Sequence, residues 1–222
     1  MSAVGLNPMR QVREQELVRA TRAMFDERGM QEAPIEEIAK AVGIARGLIY
    51  RQFSSKEELY VLTVTTYLDE LSQILEAAVA GEPRGPAAQL ERCAEAYAGY
   101  CERYPAFLDC SLSLMHGPAR ALHERVSESV WLRLGQSMTA CIDRLAQILR
   151  EGNETGVFAV SDPDYMSNVL WTQTLGAMHL ARIGVGVKRL APGVPGLFVV
   201  DSKKVIATCV ASAVATIGAA EG

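Results

Sequence analysis

The spacing Ala39–x3–Gly43–x5–Ile49 constrains this chain more than any other feature. Two short helices that cross at a steep angle need a small residue where they touch and a residue free to turn left-handed at the elbow. They also need a branched apolar side chain to anchor the second helix. Ala39, Gly43 and Ile49 meet these demands in order, and Ile35, Ile38 and Ile44 complete the apolar side. The opposite face of the second helix then presents Arg46, Gly47, Leu48, Tyr50, Arg51 and Gln52 outward, as a helix entering a major groove must. A plain helical hairpin inside a bundle satisfies the same spacing. The charge pattern speaks against it: residues 44–56 carry Arg46, Arg51 and Lys56 around Tyr50 with no acid, whereas a solvated structural helix mixes its charges.

The net charge of −4 argues mildly against nucleic acid, because binding to the backbone is driven by neutralising phosphates. The distribution reverses that argument. Residues 1–60 balance nine cations against nine acids, and the rest of the chain holds the excess of acid. A local basic face on an acidic protein still binds DNA. The longest nearly uncharged apolar run, 205–220, has 16 residues, short of the roughly 20 that span a bilayer. Residues 1–9 lack the apolar core of a leader peptide, and five scattered cysteines make no disulfide framework. These features predict a cytoplasmic protein with reduced thiols and no membrane partner.

Helical periodicity runs through nearly the whole chain, and no stretch alternates convincingly over more than five residues. A mobile arm is expected at 1–9, then a helix over about 10–28 closed by Gly29. Pro34 suits the first turn of a second helix that ends near Val42. A third helix spans about 45–52, and Ser54 or Ser55 caps a long fourth that reaches about 80. After the break GEPRGP at 81–86, further helices are expected at 87–103, 105–116, 119–152 (continuous or interrupted), 163–186 and 202–219. The predicted fold is all-α: a small three-helix N-terminal unit joined to a larger helical bundle.

The segments LVRATRAMFDERG and IEEIAKAVGIARGLIYRQFSSKEELY resemble the TetR family of transcriptional regulators, through Phe25, Gly29, Ile38, Ala39, Gly43, Gly47, Tyr50, Phe53, Lys56 and Leu59. The resemblance implies a DNA-binding domain over 10–56, with its helix-turn-helix at 34–53, and a ligand-binding and dimerisation domain over 57–222. It implies that Tyr50 and Lys56 meet phosphates while Arg46, Arg51 and Gln52 reach base edges, arginine toward guanine and glutamine toward adenine. Two positions depart from the family pattern. Pro34 stands where a hydroxyl usually begins the second helix, leaving that phosphate contact to backbone, Arg10 or Arg13. Leu48 stands where a small or hydroxylated residue is common, and it either reads a thymine methyl or packs.

Beyond residue 60 the resemblance is one of layout, and the residues must speak for themselves. Cys93, Tyr97, Tyr100 and Tyr104 share a helical stripe; Phe107, Cys110 and Leu114 form another; Trp131, Leu134 and Met138 a third; Trp171, Leu175 and Met178 a fourth, with Thr174 a further candidate lining residue. Each stripe reads either as ordinary core or as the lining of one mostly apolar cavity with a few polar handles. In the last helix, Ile206, Val210, Ala213 and Ile217 make one apolar stripe, and Ala207, Ala211, Ala215 and Gly218 a second. Gly176, Ala177, Ala181 and Gly184 give the helix before it a small face. A helix apolar on two sides needs cover on both, from a second subunit or from a single larger core. The resemblance implies the second subunit, since family members pair through their last two long helices. Residues 187–200 read as a long connection that lies across the partner, across the pocket mouth, or packed internally.

His116, His123 and His179 show no metal-ligand spacing, no phosphate-cradling glycine loop is present, and no nucleophile has an adjacent base. Neither enzyme, metal nor cofactor is expected. A helical carrier or enzyme for an apolar molecule has no need of the acid-free run at 46–56; a protein–protein adaptor is the third class, and nonspecific DNA affinity at low salt counts against it. The reading is a ligand-responsive repressor whose partners are operator DNA, a small lipophilic effector and a second copy of itself.

Overall fold

Local signals set most element boundaries. The computed structural model describes residues 8–29, 33–81, 85–116 and 122–218; most of the arm expected at 1–9 lies outside them. Helix α1 is Pro8–Arg28, α2 Ile35–Val42, α3 Arg46–Gln52 and α4 Lys56–Val79. Then follow α5 at Gly85–Arg103, α6 at Pro105–His116, α7 at Glu128–Glu154, α8 at Pro163–Ile183 and α9 at Ser202–Gly218.

Gly43 ends α2 in the left-handed region at φ 72°. Its N–H bonds Lys40 O at 3.1 Å while Ile44 N–H bonds Ala39 O at 2.9 Å. That pair of bonds satisfies the last carbonyls of α2 and turns the chain sharply into α3, a turn that a Cβ at position 43 would strain. Pro34 corrects the expectation slightly. It sits one residue before the helix at φ −69° and ψ 146°, and its carbonyl accepts from Glu37 and Ile38 N–H. Its fixed φ suits that position as well as the first turn, and its extended ψ keeps it outside. Ser55 caps α4, its Oγ accepting from Glu58 N–H at 3.0 Å. The Glu58 carboxylate reaches back past the cap to accept from Ser54 N–H at 2.5 Å.

The chain packs as two compact units. The first holds the described residues up to Tyr67 together with Asp109–Gln136. Leu17, Phe25, Ile35, Ile38, Ile49, Phe53 and Leu59 form its core. The Phe25 and Tyr60 ring centroids lie 5.8 Å apart. The second unit holds Leu68–Leu108 and Ser137 onward, with α5, α8 and α9 packed on one another. Asp162 begins α8 by accepting Tyr165 N–H at 3.0 Å, and Gly184 ends it at φ 74°.

Helix α9 buries Val205, Cys209, Ala213 and Ile217 against its unit. The apolar stripe expected through Ile206 and Val210 is therefore displaced by one residue at its start, and those two side chains are only half-buried. Strict i, i+4 spacing keeps 205, 209, 213 and 217 in one line down the helix.

Residues 185–199 overturn the expected loop. Strands β1, Val185–Ala191, and β2, Val194–Val199, pair antiparallel. The two-residue turn Pro192-Gly193, with Gly193 at φ 76°, joins them and carries the residue order of a type II turn. Glycines spoil the alternation that would announce these strands, and the fold puts them to use. A Cβ on Gly186 would strike the ring of Phe198 and one on Gly196 would strike Leu190, so large side chains roof the bare backbone opposite. Pro195 sits beside the irregularity at Arg189–Ala191, where a missing N–H costs the ladder least.

Candidate nucleic-acid interface and ligand cavity

Ile49 is 1% exposed and is the single buried residue of α3, so one anchor seats the helix and frees its other faces. Arg46, Gly47, Tyr50 and Arg51 are exposed, Leu48 and Gln52 half-buried. Arg46 stacks over the Tyr50 ring at 5.6 Å and pairs with Glu36 of α2 at 2.5 Å, so this cation is tethered before any contact is made. Arg51 makes no ion pair or hydrogen bond with the described residues and stands free. Gln52 departs from its expected outward role. Its amide donates to Arg10 O at 3.0 Å and its own carbonyl accepts from the Arg10 guanidinium at 3.3 Å, locking the end of α3 to the start of α1. A Cβ on Gly47 would meet nothing within 4 Å, which leaves open space over the first turn of α3. Pro34 and Lys56 are exposed in the same unit.

Behind α3, Glu58 is almost fully buried. Burial pushes its pKa up, and the hydroxyls of Ser127 and Ser54 with the Ser54 N–H outweigh that, holding the carboxyl below its ordinary value. The Ser55 hydroxyl also donates to Arg125 O at 2.6 Å, and Arg125 pairs with Glu57 at 3.1 Å. The start of α4 and the two serines before it are thus tied to the 122–127 segment by several side chains.

In the second unit, Tyr97, Trp171 and Thr174 line a small cavity of about 20 Å³. The Tyr97 and Trp171 rings stack at 4.1 Å with 20° between planes. Leu75, Leu90, Cys93, Cys141 and Leu170 complete much of the wall. The spacing of the aromatic stripes misses Cys141 altogether, because a lone thiol at helical register looks like any small core residue. Burial pushes the Cys93 and Cys141 thiols up to about 12, so both are protonated and inert as nucleophiles.

The other predicted lining residues are not brought to this cavity. Tyr100 and Tyr104 both donate to Glu70, at 3.4 and 3.0 Å, and Phe107 packs edge-on against Tyr100 at 5.2 Å. Met178 is buried beside Cys101 and Leu108, and Met138 is partly exposed. Cys110, Leu114, Trp131 and Leu134 belong to the first unit. There the Cys110 carbonyl accepts from the Tyr60 hydroxyl at 3.4 Å, and Trp131 meets His123 edge-on at 5.2 Å. Stripes separated by helix ends share a period without sharing a side, and only packing assigns each to its neighbour.

The faces predicted for pairing are bare. Gly176, Ala207, Ala211 and Ala215 are exposed, and Ala177, Ala181 and Gly184 half-buried; the surroundings of Gly218 lie outside the description. Leu180, Ile183 and Val214 are exposed among them. Among the described residues no group of three or more His, Cys, Asp or Glu could hold a metal ion, and no helix is long and apolar enough to cross a membrane.

Residues 17–62 match the family model for bacterial regulatory proteins of the tetR family. The HTH-type transcriptional regulator BetI 2 of Chromohalobacter salexigens is 36% identical over 77 residues, 35% of this chain and 36% of that protein. The match therefore spans little more than a third of that relative. Among solved structures, the TetR family regulator PfmR of Thermus thermophilus superposes with a TM-score of 0.60 at 21% identity, covering 90% of this chain and 97% of that one. FadR of Bacillus subtilis in complex with stearoyl-CoA superposes with a TM-score of 0.65 at 13% identity, covering 91% and 98%. At these identities the structural likeness is one of fold.

Proposed function

From the premise that this chain carries the DNA-binding segment of the TetR family of bacterial regulators, we propose that it is a repressor that grips a near-palindromic operator as a homodimer and is released by a small molecule. The observation that carries the reading is α3 itself: seated by Ile49 alone, acid-free, and presenting the unpaired Arg51. Arg51 and Arg46 take base edges, Arg46 after exchanging Glu36 for DNA. Tyr50, Lys56 and the backbone N–H groups that follow Pro34 at the start of α2 take phosphates. Gly47 lets the backbone approach the groove and Leu48 packs at its edge. Gln52 positions α3 through Arg10 instead of reading a base.

Residues 10–56 read the operator, and 57–222 bind the effector and hold the dimer. The small, exposed residues Gly176, Ala207, Ala211 and Ala215, with the half-buried Ala177, allow the α8 and α9 faces of two copies to approach closely, setting two α3 helices about 34 Å apart, one duplex turn. That a fold neighbour occurs in complex with stearoyl-CoA supports a small-molecule effector. Effector binding favours the conformation that cannot span both half-sites. The protein works in the cytoplasm and needs no cofactor or metal.

The test is selection of binding sites from random duplex DNA, followed by anisotropy titration of the selected duplex. A two-fold symmetric consensus bound far more tightly than scrambled sequence supports the reading. Binding that is equal for all sequences, or absent at low salt, overturns it.

A further inference from the structure

The Tyr97 hydroxyl has no hydrogen-bond partner among the described residues and is completely buried. A buried hydroxyl without a partner is costly and uncommon, and each instance calls for an explanation. This one belongs to a side chain on a cavity wall, and the remainder of that wall narrows what can answer it. None of its lining residues carries a charge. An ionised ligand would lose its hydration there and find no counter-ion, so the occupant is neutral. The nearby thiol of Cys141 already donates to Leu68 O at 3.3 Å.

Shape narrows it further. The cavity is small, about 20 Å³. That is room for one water or for the edge of a flat group, and a larger occupant needs a lining side chain to move aside. Its firmest surface is the Tyr97–Trp171 stack, and Trp171 is the half-exposed member. A planar ring can take a place beside the indole by a small displacement of that side chain, and ring stacking adds to the burial of its area. A bulky aliphatic body has no such surface to match.

Resting on the reading that this unit takes an effector, we propose that the cavity selects an uncharged molecule with a single aromatic ring and one polar oxygen. That oxygen hydrogen-bonds the Tyr97 hydroxyl while the ring lies against Trp171. The phenolic O–H of Tyr97 both donates and accepts, so a phenol or an aryl ketone answers it equally. Burial raises the Tyr97 pKa well above its ordinary value and keeps the group in the neutral form that can donate.

The experiment is fluorine-19 NMR titration of the full-length protein, without DNA, using 4-fluorophenol, fluorobenzene and 4-fluorobenzoate as probes. Wild type should bind 4-fluorophenol roughly tenfold more tightly than fluorobenzene, as expected for one well-made buried hydrogen bond, and 4-fluorobenzoate weakest. Tyr97→Phe, which keeps the ring, should bring the two neutral probes within about twofold of each other. Trp171→Leu should weaken both neutral probes together. Far-UV circular dichroism confirms that each variant is folded. Equal affinity for 4-fluorophenol and fluorobenzene in wild type overturns the proposal and leaves the hydroxyl to an internal water. So does a phenol preference that survives Tyr97→Phe, tighter binding of the benzoate, or no binding of any probe. Because no operator is present, failure here leaves the repressor reading standing, and failure of operator binding leaves these affinities untouched.

Discussion

Tyr97→Phe and Tyr67→Phe delete the same atom from two buried tyrosines and should shift stability in opposite directions. At Tyr97 the oxygen has no partner, so removing it recovers a desolvation cost of about 1–3 kcal/mol. Against that stands the void the oxygen leaves, on the order of 10 Å³, worth about 0.2 kcal/mol at ~24 cal/mol per Å³. The ring stack on Trp171 is unchanged. The net expectation is a gain of about 1–2 kcal/mol, which for a chain of this size raises Tm by roughly 2–8 °C. At Tyr67 the hydroxyl donates to Asp26 Oδ1 at 2.6 Å, and Arg22 lies over the ring at 4.1 Å. Removing the donor leaves a carboxylate short of a bond and costs about 1.5–3 kcal/mol. Differential scanning calorimetry of both variants at neutral pH, without ligand, gives the comparison. If Tyr97→Phe melts below wild type, its hydroxyl is bonded in the folded protein, and the reasoning from an orphaned donor fails.

Arg51→Ala should cost roughly 1–3 kcal/mol on the selected operator and relax specificity at one position per half-site. Lys56→Ala should weaken all duplexes alike and shallow the salt dependence; equal loss of discrimination in both variants would refute this division of roles. Ala211→Arg places a long cation on the exposed small face of α9 and should yield a folded monomer by size exclusion with light scattering, while an intact dimer removes that face from the interface. Glu58 has a depressed pKa in the folded state, so its contribution is present above the unfolded value of about 4.3 and is lost as pH falls through the folded one. Thermal melts from pH 7 to pH 3 should therefore show a smaller acid loss in Glu58→Gln than in wild type, and parallel curves would count against the buried cluster at Ser54 and Ser127.

Near the N-terminus, the chemistry of single residues was enough. Gly43 can turn left-handed where an L side chain strains, Ile49 is the one buried anchor of α3, and Ser55 caps α4 while the Glu58 carboxylate reaches back to Ser54. These are interactions over three to six residues, and sequence displays such distances directly. Gln52 shows the limit even here. Its type and register suit a base contact, yet the chain brings Arg10 to it from 42 residues away.

Farther along, helical period located α5 through α9 to within a few residues, apart from the late start of α7, because amphipathic spacing is local. It could not say which neighbour each stripe faces. Tyr97 and Tyr100 are three residues apart, and one stacks on Trp171 while the other donates to Glu70 of α4. Trp131 shares a period with the cavity residues but packs on His123. The hairpin at 185–199 escaped for a related reason. Its glycines are neutral in any local pattern and acquire meaning once Phe198 lies across Gly186 and Leu190 across Gly196. The sequence alone therefore determined the helical class, the helix-turn-helix and the acid-free outward face of α3, all written in contacts between near neighbours. Only the tertiary structure decided which aromatics line a cavity, that Tyr97 is left without a partner, and that a loop is a hairpin. Those facts depend on pairs of residues whose separation along the chain says nothing of their distance in space.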